Sequence, residues 1–493
     1  MKPTDAQSPH TTHTPHMDHD TFRALGHQTI DWIADYWQHL EDLPVAPPVE
    51  PGSIRAQLPA TPPEHGEGFP ALLADLERIV LPGLMHWQHP RFFGYFPANA
   101  SGPAVLAELL SAGLGVQGMN WSTSPACTEV EQQMLDWFVH LLGLPDGFRG
   151  KGVIQDTASS AVLVALLTAL HRASAGRTRE NGTSERRYRL YLTRQTHSAA
   201  AKAAVIAGLG LRAVCEVATD ANGAMDHADL ESRIRSDLAA GLTPLMVVAT
   251  RGTTSHLSFD PLEDIGPICR GYGVWLHVDA AYAGVAAVCD ELRWVNDGVH
   301  YADSYCTNPH KWLLTNFDCD LLWVTDPEAL VGALSVLPEY LRNAASESGR
   351  VTDYRHWQIP LGRRFRALKL WSVVRWYGAE GLRTHIRTGV RHAQLFAELL
   401  GADDRFTLLA PPTLGLVTFR LNGSEADNRN LLQTINANGT TFLTHSEHNG
   451  VFFLRLATGG TRTQDHHIHE AWHAVRGAAP PHIAAEAAKA EVR

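Results

Sequence analysis

The chain has 493 residues, 44% of them hydrophobic and 19% charged, with a net charge of −11 and six cysteines. That length suits two or three domains around a large core, and an acidic balance without a long basic run excludes a general nucleic-acid binder. No apolar stretch approaches the ~20 residues of a membrane helix, no basic segment leads into an apolar one at the N-terminus, and the cysteines form no CxxC pair, so a cytoplasmic chain with reduced thiols, no disulfide framework and no zinc site is expected.

Residues 1–16 read as a polar, solvated leader; His10, His13, His16 and His19 recur every three residues, which leaves a metal-binding tail as the alternative. From Asp20 to Leu40, apolar residues fall at helical spacing (Phe22, Leu25, Ile30, Ile33, Ala34, Trp37, Leu40). Pro44, Pro47, Pro48 and Pro51 make an extended connector, and a second helix is predicted near Pro70–Val80. This first segment is too thin to bury its own apolar face and is expected to pack on something else, such as another subunit. Residues 86–125 are rich in aromatics, glycine and proline and serve equally as core or as the lining of a pocket for a flat ligand. A helix over Glu129–Leu142, ending at Gly143, follows.

Residues 150–330 alternate β-branched and helical runs, with strands predicted at 189–193, 213–217, 244–250, 274–279, 302–306 and 321–325 and helices near 159–173, 197–208, 227–239, 261–271 and 327–334. Such alternation predicts a mostly parallel sheet between helices, with ligands at the carboxyl ends of its strands. A helix from Phe365 ends at Gly378, and a smaller α+β unit with strands near 415–421 and 451–456 completes the chain. Boundaries are expected at 17–101 for the N-terminal segment, 102–364 for the large domain and 365–478 for the small one, with a tail over 479–493.

Four groups carry chemistry. Asp156-Thr157-Ala158-Ser159-Ser160 opens a helix, where small residues present free N–H groups and the positive dipole end to a phosphate; taken alone it is also an ordinary N-cap. Asp279 ends an apolar strand, where a carboxylate can pair with a pyridinium nitrogen or merely cap a helix. His197 follows a strand and can stack on a flat ring and move a proton, although a chain with 27 histidines holds many structural ones. Lys311, in Asn308-Pro309-His310-Lys311-Trp312, precedes an apolar run; burial there lowers a lysine's pKa and makes the neutral amine a nucleophile toward an aldehyde, whereas most lysines are solvated. The four occur in chain order on successive strands of one sheet, and together they point to pyridoxal 5′-phosphate.

The sequence resembles the aromatic-L-amino-acid decarboxylases, group II of the pyridoxal-phosphate-dependent decarboxylases, from about Met17 to about Gly477. The resemblance rests on Phe92-Phe93-Gly94-Tyr95-Phe96-Pro97, Ser124-Pro125-Ala126-Cys127-Thr128-Glu129, Gly152-Val153-Ile154-Gln155, the run from Trp275 to Gly284, Asn308–Trp312 and the run from Tyr354 to Phe365. It implies an α/β fold of type I with a mostly parallel seven-stranded sheet, a homodimer whose N-terminal segment swaps over the partner, and an amino-acid substrate. It also implies that Lys311 binds the cofactor aldehyde and Asp279 its ring nitrogen. Ala158, Ser159 and Asn308 would hold the phosphate region, Thr254 and His310 would belong to the cofactor shell, and His197 would stack on the ring. Tyr340 would sit in a mobile catalytic loop and protonate Cα.

Trp87, Tyr95, Phe96, Ala98, Gln117, Met119 and Gly362 are the expected substrate pocket. Ala98 stands where animal relatives carry Thr, and Gln117 and Met119 where Ile and Phe are usual. Gly362 replaces the Ser of histidine-specific and plant tyrosine-specific relatives, which favours a larger ring. The implied reaction is decarboxylation of tryptophan, phenylalanine, tyrosine or dopa, with aldehyde synthesis or histidine decarboxylation as alternatives. A catalytically silent partner subunit would have lost Lys311, Asp279 or Tyr340, and all three are present.

Overall fold

Seven short strands form the central sheet, and their composition explains its depth. They are β1 (Gly152–Gln155), β2 (Tyr188–Thr193), β3 (Val214–Val217), β4 (Thr243–Thr250), β5 (Trp275–Asp279), β6 (Ser304–Thr307) and β7 (Asp320–Val324). Their order is β1-β7-β6-β5-β4-β2-β3; β3, β2, β4, β5 and β6 run parallel, while β7 lies antiparallel to both β6 and β1. Leu245–Thr250 of β4 is buried at every position, as a strand covered on both faces requires. The crossovers are the helices Ala158–Ser174, Ala199–Ile206, His227–Ala239 and Leu262–Tyr272. The structure, a computed structural model, describes residues 16–336 and 350–480. Tyr340 therefore lies outside the described residues.

A second sheet of four antiparallel strands, β8 (Phe406–Leu408), β9 (Leu416–Leu421), β10 (Thr444–His448) and β11 (Val451–Ala457), is ordered β10-β11-β9-β8. Its core is aromatic: Phe396, Phe406, Phe419 and Trp472 pack edge to face or tilted at centroid distances of 5.5–6.3 Å. The chain divides into two compact units, one ending at His86 and one starting at Trp87. In the first, Tyr36 stacks on Trp32, and its hydroxyl meets Nδ1 of His86 at 2.9 Å.

The predicted elements correspond closely to those observed, and the departures have local causes. The helix expected from Glu129 begins at Pro125, because proline suits the first turn and Ser124 caps the Cys127 amide. The helix from Phe365 is interrupted at Gly378 (φ 63°, ψ 174°), a conformation open to glycine, and then resumes to Gly401. Strands β1, β8 and β10 were not predicted; β1 and β8 are three or four residues long, too short to show a period.

The edge strand β1 is held by a buried ion pair. Glu131 and Arg363 face each other with two contacts, each side chain 1% exposed. Glu131 also accepts from the Ile154 amide at 2.7 Å, and Arg363 donates to the Ile154 carbonyl at 2.7 Å. Removing one partner would leave a buried charge uncompensated. Glu131→Ala is therefore expected to cost roughly 3–5 kcal/mol of stability in denaturant unfolding, with Glu131→Leu combined with Arg363→Met recovering most of it; equal losses in the single and double variants would exclude this role.

Candidate active site

One cavity opens at the edge where the parallel strands end. It is lined by Phe96, Thr157, Ala158, Ser159, His197, Ala199, Thr250, Gly252, Thr254, Asp279, Ala281, Tyr282, Asn308, His310 and Lys311. Apart from Phe96, which precedes the first strand, the lining comes from the carboxyl ends: Ser159 after β1, His197 after β2, Thr254 after β4, Asp279 at the tip of β5 and Lys311 after β6. Five distant stretches converge because parallel strands present all their carboxyl ends on one side.

Lys311 sits in a four-residue helical turn, Pro309–Trp312, whose N-cap Asn308 still has extended backbone. Burial pushes its amine below the usual lysine range, while the charges of Asp279, Cys306 and Asp320 act in the opposite direction. Its Nζ lies 5.8 Å from the Phe96 ring centre. Phe96 stacks on Tyr282 at 3.8 Å, and Tyr282 on Trp312 at 5.0 Å, so three rings form one wall. Trp312 fits only because glycine approaches it: a Cβ at Gly459 (φ 106°) would lie 2.2 Å from the indole nitrogen, and one at Gly389 2.7 Å from the ring.

Asp279 accepts from the Ala281 amide through Oδ1 at 3.0 Å. Beneath it, His277 meets Ser304 Oγ at 2.8 Å through Nδ1, and burial drives its pKa down to about 4, so it stays neutral. His310 is also neutral: burial first, then the Lys311 charge, lowers it to about 4. Its Nδ1 accepts from the Cys319 amide at 2.9 Å, which leaves the proton on Nε2. His197 Nδ1 accepts from the Ala199 amide at 3.2 Å, and the imidazole is exposed on the open side of the cavity, as are Ser159 and Thr254.

Asn99 ties this floor together. Its backbone N–H donates to the His310 carbonyl and its Nδ2 to the Gly459 carbonyl, both at 2.9 Å. Its Oδ1 accepts from the Leu314 amide at 2.9 Å and from His385 Nε2 at 3.0 Å. Asn99, Thr250, Gly252 and Tyr282 were not anticipated as site residues. Thr250 closes a predicted strand and Gly252 and Tyr282 follow predicted strand ends, and that position was the available signal; nothing local marks Asn99.

The expected substrate residues are not all brought together. Phe96 lines the cavity, and Tyr95 lines an adjoining cleft with His197, Thr254 and Arg455. Trp87 stacks on Tyr95 at 5.4 Å. Gln117 and Gly362 line a different cleft with Gln155, Asp156 and Arg366. Met119 and Ala98 use their carbonyls to accept from the Arg355 amide and the Gln88 side chain.

The residues present fit pyridoxal phosphate. The helix Ala158–Ser174 meets the cavity with no side-chain cap among the described residues, and its N–H groups suit a phosphate. Asn308 Oδ1 and Thr250 Oγ1 are buried there without a hydrogen-bond partner among the described residues. An amine and a carboxylate complete the set.

The comparisons agree. Residues 51–422 match the pyridoxal-dependent decarboxylase conserved domain. The chain is 44% identical to the aromatic-L-amino-acid decarboxylase of Sus scrofa, over 97% of this chain and 100% of that one. It is also 44% identical to the phenylacetaldehyde synthase of Arabidopsis thaliana, over 92% and 95% of the two chains. Its structure superposes on that of Oryza sativa TDC with PLP and tryptamine with a TM-score of 0.92 at 38% identity, covering 95% of this chain and 99% of that one. The chain belongs to the pyridoxal-dependent decarboxylase family and is a carboxy-lyase that uses pyridoxal phosphate.

Proposed function

We propose that this protein decarboxylates an aromatic L-amino acid to the arylalkylamine and CO2. The observation that carries the reading is the single cavity in which Lys311 and Asp279 meet beneath Phe96 and Tyr282, in a chain similar along its length to an aromatic-L-amino-acid decarboxylase. Lys311, whose amine burial pushes below the usual lysine range, would hold the cofactor through its aldehyde group. Asp279 would pair with the pyridine nitrogen, Ala158, Ser159 and Asn308 would hold the phosphate, and Thr254 and His310 would complete the cofactor shell. Bound pyridoxal phosphate supplies the electron sink for the pair left at Cα when CO2 departs. His197 covers the ring face and assists proton transfer, and Tyr340 hands the proton to Cα.

The aromatic substrate is supported by Phe96 and by the stacked Trp87 and Tyr95, whose rings bury flat apolar surface. Gly362 lies with Gln117 in the separate cleft, where an added Cβ would make only ordinary contact with Gln117 Oε1 at 3.6 Å.

Function as a homodimer, with the N-terminal segment crossing to the partner, is supported by uncovered apolar surface. Helix Gly102–Leu114 leaves Leu106, Leu109, Leu110 and Leu114 50–62% exposed on one stripe, and helix His19–Gln38 buries none of its residues. The six free cysteines, all buried, fit a reducing cytoplasmic setting. No helix among the described residues is long and apolar enough to cross a membrane. A second product is favoured by the similarity to a phenylacetaldehyde synthase: with O2 and water consumed, the same amino acid would give aldehyde, ammonia, CO2 and peroxide.

Lys311→Ala is expected to bind cofactor without the covalent absorbance band, to take no borohydride label and to show no turnover; normal turnover would refute the assignment. Tyr340→Phe is expected to lower amine formation roughly 10²–10⁴-fold and to shift product toward aldehyde, read by assaying amine, ammonia and peroxide together; an unchanged amine yield removes Tyr340 as the donor. Leu110→Asp with Leu114→Asp is expected to halve the mass measured by light scattering, and an unchanged mass would rule out this face as the interface.

A further inference from the structure

A carboxyl group lies directly behind the cavity, and none of the roles above uses it. Asp320 opens β7, is 0% exposed, and neither of its oxygens has a hydrogen-bond partner among the described residues. The strand register fixes its neighbours. On one side it faces Gln155 of β1. On the other, Thr307 of β6 faces Leu321, so one further step sets Asn308 opposite Asp320. Asn308 keeps extended backbone there (φ −107°, ψ 97°). Residues directly opposed on antiparallel strands share a face, with Cβ atoms about 4.5–5.5 Å apart.

Asn308 is itself 2% exposed and lines the cavity, and its Oδ1 is likewise buried without a partner among the described residues. An ionised carboxylate and an amide oxygen are both acceptors and cannot satisfy each other, but a proton on the carboxyl satisfies both. We propose that Asp320 is a positioning residue held as the neutral acid, its O–H donating to Asn308 Oδ1, so that the Asn308 amide NH2 turns into the cavity to grip the cofactor phosphate.

The surroundings favour that proton. Burial, then the charges of Asp279 and Asp156, push the Asp320 carboxyl well above the usual carboxylate range, and Lys311 alone acts in the other direction. The opposite arrangement, an ionised Asp320 accepting from the amide NH2, would aim Asn308 Oδ1 at an anion and add a third negative charge beside the two aspartates. The inference rests on the reading of Asn308 as a phosphate ligand.

The test uses the full chain, with Asp320→Asn, Asp320→Ala and Asn308→Ala, and pyridoxal phosphate as the probe. The infrared difference between wild-type apoprotein and Asp320→Asn is expected to contain the C=O stretch of a protonated carboxyl, shifted in D2O. In fluorescence titrations Asp320→Ala is expected to bind pyridoxal phosphate about tenfold more weakly, the loss of roughly one hydrogen bond. Asp320→Asn, whose amide can still donate to Asn308, should stay within about twofold of wild type. Adding Asp320→Ala to Asn308→Ala should cost nothing further.

Absence of the acid band, Asp320→Asn binding as weakly as Asp320→Ala, or unchanged affinity in Asp320→Ala overturns the proposal. If Asp320→Ala does not fold, the infrared band and the Asp320→Asn affinity still decide it. Wild-type protein that fails to bind the cofactor at Lys311 would instead defeat the functional reading itself.

Discussion

An amine kept out of water at the carboxyl edge of a parallel sheet is the constraint on which this structure depends. Lys311 is useful only if its nitrogen is unprotonated when it meets an aldehyde, and water would hold it protonated. The protein supplies the dry environment with large side chains that cannot move aside. Trp312 is wedged against the backbones at Gly389 and Gly459, Tyr282 lies on Trp312, and Phe96 lies on Tyr282. Buried aromatic rings pack densely, so the wall that desolvates the lysine also fixes its direction.

The same edge reconciles groups that would otherwise oppose one another. The Lys311 amine and the Asp279 carboxyl attach to neighbouring strands and face a shared space rather than forming a closed pair. Two buried histidines beside them are kept neutral by burial: His277 beside Ser304, and His310 with Nδ1 committed to the Cys319 amide. Neutral imidazoles add no positive charge beneath a cofactor whose ring nitrogen is to be the local cation. Asn99 then links the backbone after β6 to the loop at Gly459, so the floor of the site is hydrogen-bonded to the approach to the small sheet's last helix.

Local sequence carried most of the architecture. Continuous apolar runs such as Leu245–Thr250 can be buried on both faces only inside a parallel sheet, and the helices between them follow from their 3.6-residue period. Asp279 at the end of such a run, small residues opening a helix at Ala158, and Gly378 at a break are short-range signals, each tied to backbone geometry that needs no distant partner. The family and its cofactor were therefore legible before any coordinate.

Tertiary structure alone decided what those signals face. The four-residue strand β1 has no period of its own; it exists because Glu131 and Arg363 clamp Ile154 to the rest of the fold. Phe96 and Gln117 both belong to the aromatic stretch, yet the first lines the Lys311 cavity and the second a separate cleft, since the helix Gly102–Leu114 lies between them. Asn99 and Asp320 carry no sequence mark at all. Their importance comes from burial and strand register, which are sums over residues hundreds of positions apart, and a sequence read one window at a time does not contain them.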